Sequence, residues 1–311
     1  MSIKSQPLKP GDSIATVATS NWISNEAIES VRPMIEDAGF SFYVHPQTSK
    51  RDHQQAGTAK KRAAALCDAF EDPKVKAIIL TAGGDRALHI LDHLDYDLIR
   101  QNPKIIVGYS DATALLSAIY TRTGLVCLHG GDISKYSKSP PQHVWDSFQA
   151  ISKGDLYSYP MDKAKILREG TANGVLYGGN LCLLSNLWGT GYAPDLKGKI
   201  LFFEDEKESL WNIDRMLLYA RRVGGLDNCA GVLIGGFSEC SDKTNPAGIG
   251  FGHTLEDLAL EHTEGLNIPV VSRAPFGHLD LLHTIPIGST ASLTAKDNQA
   301  TLSLTEPAVA V

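Results

Sequence analysis

Three residues far apart in the chain, Ser110, Glu204 and His278, have side chains that together can perform nucleophilic catalysis. A serine hydroxyl attacks a carbonyl when a base takes its proton, and the base works best when an acid orients it. Ser110 follows the apolar run 105–107 and Gly108, and a helical pattern with Leu115, Ile119 and Tyr120 begins at about Asp111. In such a strand, turn and helix the hydroxyl faces the N-terminal N–H groups of the helix, which can stabilise a developing oxyanion. The turn reads Gly-Tyr-Ser-Asp and not G-x-S-x-G. Serine and aspartate also cap helices routinely, so the turn alone leaves a capping role open for Ser110 and Asp111.

Ten histidines are available as the base. His278 is the best placed, in the loop Pro-Phe-Gly-His after the apolar run 268–271, with His283 as its neighbour and competitor. His129, in Leu-His-Gly-Gly, is a candidate to line the crevice. Glu204 ends the apolar run 200–203, where a carboxylate is either part of a site or an acid at the start of the helix that follows. Asp205 and Glu206 beside it are expected in solvent. For the oxyanion, one N–H comes from Asp111, the residue after the nucleophile, and another from Gly84, because the pair Gly83-Gly84 lets backbone approach a ligand. No phosphate loop, dinucleotide fingerprint or metal-binding motif is present, so no cofactor and no metal is expected.

The elements that must hold these residues alternate. Strands are expected near 11–19, 40–44, 75–80 and 105–107, with helices near 25–38, 57–71, 85–91, 95–101 and from 111. That pattern predicts an α/β fold, an N-terminal doubly wound parallel-sheet domain over 1–153. Ser20, the two glycines and Ser110 fall at the carboxyl ends of its strands, where such sheets bind ligands. A linker near 153–170 leads to a smaller β-rich C-terminal domain over 170–311, with an exposed loop at 241–252 and a hairpin in 287–304.

The 311 residues are 43% hydrophobic and 21% charged, ordinary for a soluble globular chain. A net charge of −6 without a basic stripe excludes a nucleic-acid partner. No apolar run is long enough for a membrane span, and 1–10 holds no apolar core of a signal peptide. Five spaced cysteines without C-x-x-C fit reduced thiols in a cytoplasmic protein.

Taken in order, the elbow, Glu204 and His278 resemble the LD-carboxypeptidases, serine peptidase family S66. The resemblance runs through Asn102-Pro-Lys-Ile-Ile-Val-Gly-Tyr-Ser-Asp, Gly178-Gly-Asn-Leu, Ile200-Leu-Phe-Phe-Glu-Asp, Pro275-Phe-Gly-His and Ile285-Pro-Ile-Gly, covering nearly the whole chain. It implies Ser110 as nucleophile, Glu204 as orienting acid and His278 as general base, in a site between two domains, and a homodimer. It implies hydrolysis of an amide bond, foremost the L,D bond of a murein tetrapeptide. The microcin C immunity branch of the family implies an aminoacyl- or peptidyl-nucleotide conjugate instead. Many muramoyltetrapeptide enzymes have Arg-Gly-Gly-Tyr-Gly where this chain has Ala82-Gly83-Gly84-Asp85-Arg86, which keeps the glycines and drops the Arg and Tyr. Arg86 then becomes a candidate for a substrate carboxylate, and Trp188 either stacks on a base or is an aromatic of the core. A small-molecule binding protein that keeps the crevice without the chemistry is the alternative of another class.

Overall fold

The structure, a computed structural model, describes residues 2–242 and 247–311. Five strands, β1 (Ser13–Val17), β2 (Ser41–Val44), β3 (Val75–Leu80), β4 (Ile105–Gly108) and β5 (Cys127–His129), pair in parallel in the order β5-β4-β3-β1-β2. The centre of the sheet is β3, buried at every position except Lys76, as its apolar run requires. Chain order runs outward on both sides of the β1/β3 boundary, so the sheet is doubly wound and its crevice opens beyond the ends of those two strands. The helix expected over 25–38 is two pieces, Asn25–Glu29 and Arg32–Asp37. Pro33 lies in the first turn of the second piece, and without an N–H it cannot continue the first.

The stretch expected as a linker supplies two edge strands, β6 (Ser158–Tyr159) and β7 (Lys165–Arg168). They close a second sheet with β8 (Gly170–Asn180), β9 (Lys199–Glu206), β10 (Gly231–Ser238) and β11 (Val270–Ser272). The next strand, β12 (Ile285–Ile287), leaves that sheet and pairs antiparallel with β5 as the sixth strand of the first. The last two, β13 (Thr290–Lys296) and β14 (Gln299–Leu304), form the expected hairpin. Its turn residues Asp297 and Asn298 have φ of 52° and 60°, the conformation a two-residue hairpin demands. The loop expected at 241–252 lies partly outside the described residues, at 243–246.

The two sheets meet along the helix Ala112–Thr123. On one face of it, four residues apart, Thr113 Oγ1 accepts the N–H of Asn180 at 3.0 Å and Ser117 Oγ bonds the Tyr177 hydroxyl at 2.6 Å. Gly179 lies so close to Thr113 that a Cβ there would sit 2.6 Å from the threonine methyl. The end of β8 is thereby fixed to the helix that begins at the elbow. Register then carries this across the second sheet, because Asn180 pairs with Glu204.

Candidate active site

Ser110 occupies the turn between β4 and its helix with φ of 59°, a left-handed conformation for a residue with a side chain. Such a conformation costs about 1–3 kcal/mol and is kept only where the surroundings impose it. Gly83 lies directly over it, since a Cβ on Gly83 would stand 3.1 Å from Ser110 Oγ. Neither Ser110 nor Asp111 caps the helix with its side chain. Asp111 holds the neighbouring loop instead: its carboxylate accepts the N–H groups of Arg86 at 3.0 Å and Ala87 at 2.8 Å, and the Ser20 hydroxyl. Burial pushes its carboxyl up, against these three donors. Gly84, between them, has φ of +147° and approaches Ser20 and Asn21 to distances no side chain would permit. Ser20, the glycine pair and Ser110 are thus brought together at the crevice. Among the described residues, no intramolecular hydrogen bond takes up the N–H of Gly84 or of Asp111.

From the other sheet, β9 carries Glu204 with no exposed surface. It belongs to the strand, and the helix that follows starts only at Leu210. Glu204 Oε2 accepts a hydrogen bond from His278 Nδ1 at 2.6 Å. Gly277 makes this approach possible. It has φ of +91°, and a Cβ there would lie 2.5 Å from Glu204 Cβ. The His278 ring packs on Tyr109, the residue before Ser110, with centroids 5.1 Å apart. The imidazole is therefore held between the acid of one sheet and the elbow of the other.

Burial acts to lower the His278 pKa, but the hydrogen bond to Glu204 and the charges of Glu204, Glu206 and Asp205 outweigh it and hold the imidazole above its ordinary value. Glu204 shows the converse balance. Burial acts to raise it, and His129 and His278 together bring it down to about 2. Glu206 Oε2 lies 3.9 Å from His278 Nε2, on the side of the ring away from Glu204.

Three expectations need correction, and one rival for the base drops out. Asp205 is not in solvent: it is 2% exposed and accepts bonds from Asn180 Nδ2, the N–H of Cys182 and its own neighbour's N–H. Glu206 is only half exposed and faces the imidazole. Trp188 is 2% exposed, packed on Gly224 with Phe203 and Tyr219 around it, so its ring is a core aromatic and offers no face for stacking. His283 is turned away from the site, bonded to the Tyr157 hydroxyl and stacked on His143, which with burial pushes it down to about 4. Arg86 borders a cavity of about 310 Å³ shared with Asp52, Thr58 and Arg62. Tyr109 and the Thr113–Asn180 contact had no distinguishing signal in the sequence, because their roles come from the meeting of the two sheets. Among the described residues no group of three or more His, Cys, Asp or Glu is placed to hold a metal ion. Nor is any helix long and apolar enough to cross a membrane.

Comparison with known proteins adds to this geometry. The LD-carboxypeptidase N-terminal domain matches residues 14–130 and the LD-carboxypeptidase C-terminal domain residues 173–293. A protein of Bacillus subtilis named a probable murein peptide carboxypeptidase is 29% identical, covering 97% of this chain and 95% of its own length. The microcin C7 self-immunity protein of Escherichia coli is 30% identical, covering 91% of this chain and 90% of its own. A solved structure of MccF in complex with glutamyl sulfamoyl guanosine superimposes with a TM-score of 0.88 at 27% identity over 99% of each chain. Matched in both halves and along nearly its full length, the chain belongs to the LD-carboxypeptidase family of peptidases.

Proposed function

We propose that Ser110, His278 and Glu204 form the catalytic triad of this carboxypeptidase. His278 Nε2 takes the proton of Ser110 as the hydroxyl attacks the scissile carbonyl, and later gives it to the leaving amine. Glu204 fixes the imidazole with Nδ1–H toward itself and stabilises the imidazolium. The N–H groups of Gly84 and Asp111 receive the oxyanion. Water then attacks the acyl-enzyme by the same base, which releases the acid and restores the serine. The single observation that carries this reading is the 2.6 Å bond between Glu204 and His278 beside a serine held in the left-handed conformation.

The substrate we favour is a short murein peptide, cut at an L,D amide bond before its terminal D-residue, as the name of the Bacillus subtilis relative suggests. Arg86 is assigned to the substrate carboxylate. A second reading has one specific support: a relative of the same fold is solved with an aminoacyl sulfamoyl nucleoside, so an aminoacyl-nucleotide conjugate is the runner-up. The enzyme is proposed to act as a cytoplasmic homodimer.

The test is turnover of a murein tetrapeptide and, separately, of an aminoacyl sulfamoyl-adenosine by wild type and S110A. Wild type is expected to release the terminal D-amino acid, and S110A to lose about 10³-fold or more in kcat. An S110A enzyme with the wild-type rate would overturn the triad. Cleavage of the nucleoside conjugate alone would overturn the preferred substrate.

A further inference from the structure

His129 takes no part in the steps above, yet it stands against them. It ends β5, paired with Gly108 of the elbow strand on one side and with Ile285 on the other. Its side chain is fully buried. Tyr109 and Phe202 meet its ring edge-on, at centroid distances of 6.4 and 5.6 Å. A buried histidine in a core ordinarily bonds a backbone carbonyl or a hydroxyl. Here, among the described residues, neither ring nitrogen has a hydrogen-bond partner. Nε2 points at Glu204 Oε1 from 3.7 Å, inside ion-pair range and just beyond a hydrogen bond.

The same holds from the side of the acid. Glu204 Oε2 is bonded to His278, while Oε1 is buried with no hydrogen bond among the described residues. A buried carboxylate oxygen left alone is costly, so the group that faces it decides how firmly the carboxylate stays put. Tyr109 packs on both imidazoles, which keeps the two rings on opposite oxygens of one carboxylate.

We infer that His129 is a positioning residue: its Nε2–H, directed at Glu204 Oε1, holds the carboxylate in the rotamer that presents Oε2 to His278 Nδ1. The acid is then gripped between two histidines, one from each sheet's side of the site. The inference rests on the triad reading given above.

A double-mutant cycle tests it on the whole enzyme. H129L removes the donor and keeps the bulk. It is expected to lower kcat by about 10- to 100-fold, the scale of a small misplacement in an active site, with KM within about twofold. H129Q, which keeps an N–H donor at similar reach, is expected to recover most of the loss. In an E204Q background H129L should cost nothing further, because no carboxylate remains to be positioned. The downfield proton resonance of the His278 Nδ1–H should persist in H129Q and move or vanish in H129L. If H129L does not fold, H129F takes its place in each arm.

Wild-type kcat in H129L, or the same further loss with and without Glu204, overturns the inference and leaves His129 as packing. Wild-type kcat in E204Q would instead overturn the triad itself.

Discussion

The Asp111 carboxylate accepts the Ala87 N–H at 2.8 Å, so the residue after the elbow serine clamps the start of the loop helix that follows the glycine pair. Elbow and glycine turn are therefore one unit, set by a single buried carboxylate. D111A would leave the buried N–H of Ala87 unpaired, at about 1–3 kcal/mol, and the part-buried N–H of Arg86 at less. It should also let the Gly84 N–H drift, lowering kcat by about 10- to 100-fold. D111N keeps one acceptor and should do less harm. Denaturant titration and steady-state kinetics on the two variants measure both effects.

In the proposed role of base His278 must be neutral, and its folded pKa is raised. The acid limb of kcat/KM should therefore lie above about 6.5, the value of a free imidazole. E204Q removes the main partner and should shift that limb to lower pH while cutting kcat by about 10²- to 10⁴-fold. A pH–rate profile of each enzyme checks the sign, and an unmoved limb in E204Q would contradict it.

Glu206 should affect the profile with little effect on the maximum rate. Its carboxylate, 3.9 Å from Nε2, helps hold the proton on the imidazole. In E206Q the limb is expected to move to lower pH, because the nearby negative charge is gone. Activity at pH 6 should then rise relative to pH 8, as read by the ratio of kcat/KM at those two values.

G277A tests the closeness of strand and loop. The left-handed φ of +91° and the contact with Glu204 Cβ both resist a methyl group. The backbone strain alone should cost about 1–3 kcal/mol. Displacing His278 from Glu204 should reduce kcat more than it raises KM. Thermal unfolding together with kinetics separates the two losses.

R86Q bears on the leaving side of the substrate. If Arg86 receives the terminal carboxylate in ground and transition state alike, KM rises about tenfold with kcat nearly unchanged. A C-terminally amidated substrate should be insensitive to the replacement. Equal KM changes for acid and amide would remove Arg86 from the site.

Much of this is legible in the sequence. Four of the five parallel strands of the first sheet read as short runs between helical patterns, and Ser110, Glu204 and His278 each sit at a strand end or in a loop beside one; β5, only three residues long, gives no such signal. What stayed hidden depended on the meeting of two sheets. Asp205 reads as a surface acid because three acidic residues stand in a row, and only the register of β8 with β9 supplies the Asn180 amide that receives it. Trp188 reads as a possible stacking platform because aromatics serve both uses, and only Gly224 against its ring makes it core. His129 ends an apolar run like any crevice residue, and nothing local ties it to an acid found in another sheet. The stretch 25–38 reads as one helix from its apolar spacing, but Pro33 breaks it into two pieces.

Strand β12 bears on how such a chain can be made. The first sheet is complete only when Ile285–Ile287 docks on β5. During synthesis from the N-terminus, the open edge of Cys127–His129 waits through about half the chain for its neighbour. An unpaired edge is a template for wrong partners, so the first half expressed by itself is a candidate for aggregation. The segment that finally seals it begins only a few residues beyond His278. On the proposed triad, closing the sheet and delivering the imidazole are one late event, and a chain stalled before it has neither.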